Sequence, residues 1–376
     1  MTYMCTRIFN SLNPDFPVTA RNMDWFAGVN AFLYTFPVGL KRIGFIPEDT
    51  DQFKVPQRQI LKWKSHYSSI ATVMGDKRMG TADGINSAGL VVNALYDTGA
   101  DYIPIRADNS SPLLNKRQTE HSPLEESKKV LSVLSWAQFT LDKFGCVKAA
   151  AKYFRKQKIQ IVEENVPDGL GKSTPATLHL CLSDKTGNSA IIEVNNNAFV
   201  VYESEKFRVA TNEPNYKTQL EINQYWQYMW GKAETPNSRP LYTVPGGVSS
   251  TQNFERASFY ISLSEPVNST IKAVSQTRSM VAACAVPHGF NPRSASISSS
   301  TIWSNVSDQA SGTYYFLNMC NMAQVWLDFS TEITTCQRVQ VMTLEGEELI
   351  EQPPIFGNLN DKCTVTNDPY ARAKKA

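Results

Sequence analysis

The chain has 376 residues, of which 42% are hydrophobic and 19% charged, and its formal net charge at pH 7 is +2. That composition supports a large globular core, whereas the near-neutral balance excludes a phosphate-tracking nucleic-acid surface, which needs a clear basic excess. No apolar run reaches the roughly 18 residues of a membrane helix, and Met1–Met4 has neither the basic nor the apolar region of an export signal.

The first hundred residues read as β-rich. Runs at Cys5–Phe9, Val18–Asn22, Ala31–Phe36, Ser69–Met74 and Gly89–Tyr96 are separated by Pro, Gly, Asn and Asp punctuation. A polar stretch from Asp101 to His121 follows and predicts an exposed loop or lid. From Pro123 the pattern changes to a helix ending at Gly145: Ser122 can cap it, and Val130, Leu131, Leu134, Ala137, Leu141 and Phe144 share one face. A second helix is expected over Val147–Lys156. Strands return at Thr177–Ser183, Ser189–Val194 and Ala198–Glu203, joined by hairpin-type turns. Helices are expected over Tyr216–Met229 and Ser269–Ala285, then strands near Ser300–Val306, Thr313–Asn318 and Gln324–Phe329. Short turns between neighbouring strands favour antiparallel sheets, and no linker or repeat divides the chain. One α+β domain over residues 5–376 is the economical reading.

Seven cysteines, an odd number, stand at 5, 146, 181, 284, 320, 336 and 363, with no Cys-x-x-Cys pair. They suggest neither a disulfide framework nor a zinc site, and no other metal or organic cofactor is called for. Most lie in apolar stretches and read as small buried hydrophobes. Cys5 differs because it stands near the start of the chain.

A nucleophilic thiol needs a base and donors for the oxyanion. His66, His121, His179 and His288 are the histidines available, and none stands in a thiol-protease motif. The other candidate base is the α-amino group of Cys5 itself. Its ordinary pKa, about 7.7–8.0, lies close to the thiol's value of about 8.5. This route requires removal of Met1–Met4 as a leader, for which translation from Met4 and loss of that methionine would suffice.

Several blocks together resemble the choloylglycine hydrolase and penicillin V acylase family of N-terminal-nucleophile (Ntn) hydrolases. They are Cys5-Thr6-Arg7, Ala20-Arg21-Asn22-Met23-Asp24, Asp83-Gly84-Ile85-Asn86, Gly187–Glu193, Ala210-Thr211-Asn212-Glu213-Pro214, Glu255-Arg256-Ala257 and Thr301-Ile302-Trp303-Ser304. They stand in family order and span most of the chain. The resemblance implies a four-layer αββα sandwich with two stacked antiparallel sheets, and hydrolysis of linear amide C–N bonds. It assigns Cys5 as nucleophile and Arg21 and Asp24, 16 and 19 positions on, as its partners. Arg21 would favour thiolate, and Asp24 would hold the α-ammonium. Asn212 matches the oxyanion asparagine. Tyr96 falls on the second oxyanion position, with Asn93 a competing candidate, and Arg256 matches the remaining catalytic arginine.

Trp25 and Trp63 are the expected walls of an acyl pocket. The substrate is then a small amide: a conjugated bile salt, a penicillin V-like compound, or an N-acyl amide such as an acyl-homoserine lactone. Choloylglycine hydrolase is the slightly preferred label. A histidine-assisted hydrolase and a silent lipid- or bile-acid-binding homologue are the rival readings. The segment between Asn212 and Arg256 is shorter than the assembly loop of Gram-positive bile-salt hydrolases. This points to the Gram-negative branch, argues against that tetramer and leaves a homo-oligomer open. As written, the protein is expected in the cytoplasm, or in the periplasm or outside the cell if an export signal precedes it.

Overall fold

The computed structural model describes residues 5–44, 55–76, 79–102, 124–166, 174–290, 299–345, 348–349 and 353–371. Two large sheets lie face to face. In one, seven strands run in the order Val209–Thr211, Thr6–Asn10, Val18–Trp25, Ser300–Asp308, Thr313–Asn318, Gln324–Leu327 and Phe356–Asn358. In the other, nine strands run in the order Ala198–Glu203, Ser189–Asn195, Leu178–Ser183, Val91–Tyr96, Gly80–Asn86, Ser69–Met74, Ala31–Phe36, Gln337–Met342 and Thr364–Val365. The central strands are buried along their whole length, as Ser69–Met74 and Val91–Tyr96 are, because both faces of each sheet are covered. All pairings in the larger sheet are antiparallel, but Gln324–Leu327 pairs in parallel with Phe356–Asn358 at the edge of the smaller one.

Among the described residues, five helices make the outer layers. Helices α1 (Val133–Lys143) and α2 (Val147–Phe154) pack on the nine-stranded sheet; α4 (Ser250–Leu263) and α5 (Thr270–Ala282) lie against the seven-stranded one, and α3 (Tyr216–Met229) packs on α4. The hydrophobic core accordingly divides in two. One large cluster, containing Cys5, Trp25 and Trp303, fills the space between the sheets and under α4 and α5. A second, containing Trp63, Trp136 and Phe139, lies beneath α1 and α2. This is the expected αββα sandwich. No described helix is long and apolar enough to cross a membrane.

The single helix expected from Pro123 to Gly145 is corrected. Its proposed cap, Ser122, lies outside the described residues, as does most of the expected loop at 101–121. Lys129–Ser132 is a strand that pairs in parallel with Ile159–Val162, and the helix begins only after it. Ser132 is the true cap: its Oγ accepts from Leu134 N at 3.1 Å. A short apolar run fits either period, and here tertiary strand pairing decided the outcome. Helix α4 was not expected, although Ser249 and Gln252 form a capping box at its start.

Candidate active site

The site grows from one β-hairpin. Thr6–Asn10 pairs antiparallel with Val18–Trp25 in the register Thr6↔Asn22 and Arg7↔Arg21, so its continuation sets Cys5 opposite Met23. Side chains alternate along a strand. Arg21 therefore shares the inter-sheet face with Cys5, while Asp24 points to the other face, towards the helical layer.

The contacts follow this division. Arg21 Nη2 lies 3.7 Å from Cys5 Sγ, and the same nitrogen donates to Ala94 O at 2.9 Å and contacts Met23 Sδ at 3.0 Å. Its guanidinium stacks over Trp303, 4.5 Å from the ring centroid. The Cys5 thiol is directed at Met23 Sδ and the Asp24 carbonyl, 3.9 and 3.8 Å away. Positive charge thus stands beside the sulfur in a site closed to bulk water, where Cys5 is only 1% exposed.

Asp24 is fully buried. Its Oδ1 accepts from Thr301 Oγ1 at 2.5 Å, whereas Oδ2 has no hydrogen-bond partner among the described residues. Burial pushes this carboxyl from 3.8 up to about 7, against the opposing pull of the Thr301 hydrogen bond and the Arg21 charge. On the facing sheet, Asp83 provides the counter-charge to Arg21. Burial raises it to about 6, with Arg21 and hydrogen bonds from Asn93, Asn305 and Tyr314 opposing.

Asn212 follows the strand Val209–Thr211, whose pairing Thr6↔Thr211 carries Asn212 opposite Cys5. Its Nδ2 donates to the Tyr96 carbonyl at 2.6 Å, so the two expected oxyanion residues meet. Tyr96 lines the same pocket as Cys5. Asn93 is committed elsewhere, with its Nδ2 donating to Asp83 Oδ2 at 2.6 Å.

The pocket at Cys5 is walled mainly by apolar side chains, among them Met23, Trp25, Val29, Met74, Leu134 and Leu178. Trp25 stacks on Phe26 with centroids 4.9 Å apart and leans on Tyr96 at 5.6 Å. Trp63 is not there. It lies in the other core cluster, edge-on to Phe139 at 5.3 Å, with Nε1 donating to Asp142 Oδ2 at 2.6 Å. Its buried N–H needs an acceptor, and Asp142 supplies one on the far side of the nine-stranded sheet. Arg256 is likewise absent from the pocket wall. Its guanidinium donates to the carbonyls of Ala283 (2.9 Å), Pro245 (2.6 Å) and Gly247 (2.9 Å), and to the side chain of Asn253. It clamps the turn before α4 to the end of α5.

No histidine lines the pocket among the described residues, and His121 lies outside them. Thr301, Trp303 and Asp83 are the neighbours that sequence reasoning did not assign. All three lie in the quoted motif blocks, and that was the available signal.

Comparison with known proteins agrees with this geometry. The sequence model of the linear amide C–N hydrolases, choloylglycine hydrolase family, matches residues 5–341. The chain belongs to the choloylglycine hydrolase family. It is 31% identical over 342 residues to a penicillin V acylase of Pectobacterium atrosepticum, covering 86% of this chain and 80% of that one. The structure of the penicillin V acylase from Agrobacterium tumefaciens superposes with a TM-score of 0.75 at 26% identity, over 98% of this chain and 99% of that one. A mutant of the conjugated bile acid hydrolase from Clostridium perfringens shares the fold at a TM-score of 0.67 and 17% identity, over 94% and 98% of the two chains. As a member of this family, the protein is a hydrolase of linear amides acting on small amide substrates.

Proposed function

We propose that Cys5, freed as the first residue of a single catalytic domain spanning 5–376, is the nucleophile, and that the preferred substrates carry a compact apolar acyl group, as penicillin V does. The position of Cys5 Sγ carries this reading: it stands at an apolar pocket, 3.7 Å from Arg21 Nη2. In the freed protein the α-amino group takes the thiol proton, and the sulfur attacks the amide carbon. Asn212 Nδ2, which donates to the Tyr96 carbonyl in the free site, and the backbone N–H of Tyr96 are the donors assigned to the resulting oxyanion. The C–N bond then breaks as the α-ammonium returns its proton to the leaving amine, leaving a thioester. Water, deprotonated by the same amine, adds to the thioester, and the acid and free thiol are regenerated.

Asp24 holds the α-ammonium through Oδ2. Arg21 stabilises negative charge on sulfur. Arg256 acts at one remove by fixing the turn before α4, and Trp25 is the aromatic wall of the acyl site. The test is a panel of penicillin V, glycocholate and an N-octanoyl-homoserine lactone, assayed with wild type, Cys5→Ser and Trp25→Ala, together with intact mass. Expected are a mass beginning at Cys5, the highest kcat/KM on penicillin V, at least about a hundredfold loss in Cys5→Ser, and about a tenfold loss in Trp25→Ala. Full activity with Met1 retained would refute the mechanism. Preference for glycocholate would refute the acyl assignment.

A further inference from the structure

Behind the oxyanion residues lies a buried charged cluster that the mechanism above does not use. His179 sits on the strand Leu178–Ser183, where Leu178 pairs with Tyr96 and His179 with Leu95. Its ring is 3% exposed, and Nδ1 lies 3.8 Å from Asp97 Oδ2. Asp97 directly follows Tyr96, and its Oδ1 accepts from Gly99 N at 2.8 Å. On the neighbouring strand, Glu193 is also within electrostatic range of His179, and its Oε1 accepts from Tyr216 N at 2.5 Å. Tyr216 opens α3, four residues after Asn212. The imidazole therefore stands between two carboxylates with neither ring nitrogen hydrogen-bonded among the described residues, and the carboxylates anchor the backbone at Gly99 and Tyr216, three and four residues beyond Tyr96 and Asn212. A second link joins the same two segments at the surface, where Thr98 Oγ1 donates to the Glu213 carboxylate.

Cys181 lies on the same face of the strand and interacts in turn with Arg7 and Tyr216; the Arg7 charge opposes a second positive charge in this cluster. Burial opposes protonation of His179, but Cys181 and Asp97 outweigh it and push its pKa well above the usual histidine value.

We propose that His179, as an imidazolium, is a positioning residue for the oxyanion hole: it fixes the spacing of Tyr96 and Asn212 by holding Asp97 and Glu193 together. This rests on the oxyanion roles given above. Without the positive charge the two buried carboxylates repel, and the segments they anchor separate. Donors displaced from the oxyanion lose transition-state stabilisation, whereas binding of the neutral acyl group in its apolar pocket is unaffected.

Full-length His179→Gln is compared with His179→Gln/Glu193→Gln, in which the second amide still accepts from Tyr216 N but removes the repulsion. On penicillin V the single variant is expected to lose about 10- to 100-fold in kcat, with KM within about twofold of wild type. The double variant is expected to recover most of that loss. Hydrogen–deuterium exchange gives a readout independent of turnover. Residues 96–99 and 212–216 should exchange faster together in the single variant and return towards wild type in the double. A single variant with unchanged kcat and exchange overturns the proposal, as does a double variant no better than the single. If wild type proves inactive on every amide, the functional reading fails and exchange alone decides the proposal.

Discussion

The buried Asp24 carboxyl makes the state of the N-terminus measurable without any substrate. In the chain as written, the nitrogen of Cys5 is a peptide nitrogen and carries no charge. Asp24 Oδ2 has no partner among the described residues, and burial raises the carboxyl from 3.8 to about 7. A folded-state pKa above the unfolded one means that the folded protein holds a proton the unfolded chain has released. The stability that this proton provides is complete below about pH 4 and is lost as the pH rises through about 7. At 1.36 kcal/mol per pH unit, the loss comes to about 4 kcal/mol. The neutral amide introduced by Asp24→Asn cannot ionise and escapes this loss.

The comparison uses a Cys5→Ala background in which Met1–Met4 is retained, with and without Asp24→Asn, in urea titrations between pH 4 and 9. There, Asp24→Asn is expected to gain stability relative to its parent by about 4 kcal/mol between pH 4 and 8. In protein beginning at Cys5, the α-ammonium supplies the missing partner. The sign then reverses: Asp24→Asn should be destabilising at pH 7, and kcat should fall by at least about a hundredfold. A stability difference independent of pH in the leader-bearing background would refute the burial reasoning. The same sign in both backgrounds would refute the pairing of Asp24 with the α-amino group.

Three further outcomes follow from the packing. Trp63→Phe should lower stability by about 1.5–3 kcal/mol through loss of its bond to Asp142, with kcat/KM on penicillin V unchanged; a specificity change would return Trp63 to the pocket. Arg42 is fully buried between Asp142 at 2.8 Å and Asp368 at 3.0 Å, so Arg42→Met should cost about 3–5 kcal/mol in urea by leaving both carboxylates uncompensated. In Gly84→Ala the new methyl would meet the Ile70 carbonyl oxygen and Leu141 Cδ1, both at 2.8 Å. A loss of about 1–3 kcal/mol and a lower Tm are expected, and an unchanged Tm would show that the Ile70 backbone can yield.

What could be read in the sequence divides by range. Cys5, Arg21 and Asp24 belong to one hairpin, and a hairpin converts sequence distance directly into spatial register. Asn212 and Tyr96 were legible only through family resemblance, because three separate strands bring them together. The two tryptophans show the limit. Trp25 and Trp63 both flank motif-bearing strands, and nothing local separates a tryptophan facing one core layer from one facing the other. The acceptor Asp142, 79 residues further on, decides it. Lys129–Ser132 failed for a similar reason: its strand partner, Ile159–Val162, follows only after two helices.

The hairpin also explains why Arg21 and Asp24 can do different work although they are three residues apart. An odd separation on a strand puts two side chains on opposite faces. Arg21 therefore reaches the sulfur in the space between the sheets, while Asp24 lies on the side of α5 and takes its hydrogen bond from Thr301 on the adjacent strand. In the proposed roles, the charge for the nucleophile and the anchor for the base are separated by the sheet itself. The distance of 16 residues from Cys5 to Arg21 is then not the underlying constraint. Residues added to the turn between Asn10 and Val18 would change that distance without changing the pairing, whereas a one-residue slip in the register Arg7↔Arg21 would move every side chain of one strand to the other face. What the motif encodes is a pairing, and the pairing places a positive charge beside the thiol and a buried carboxylate beyond it.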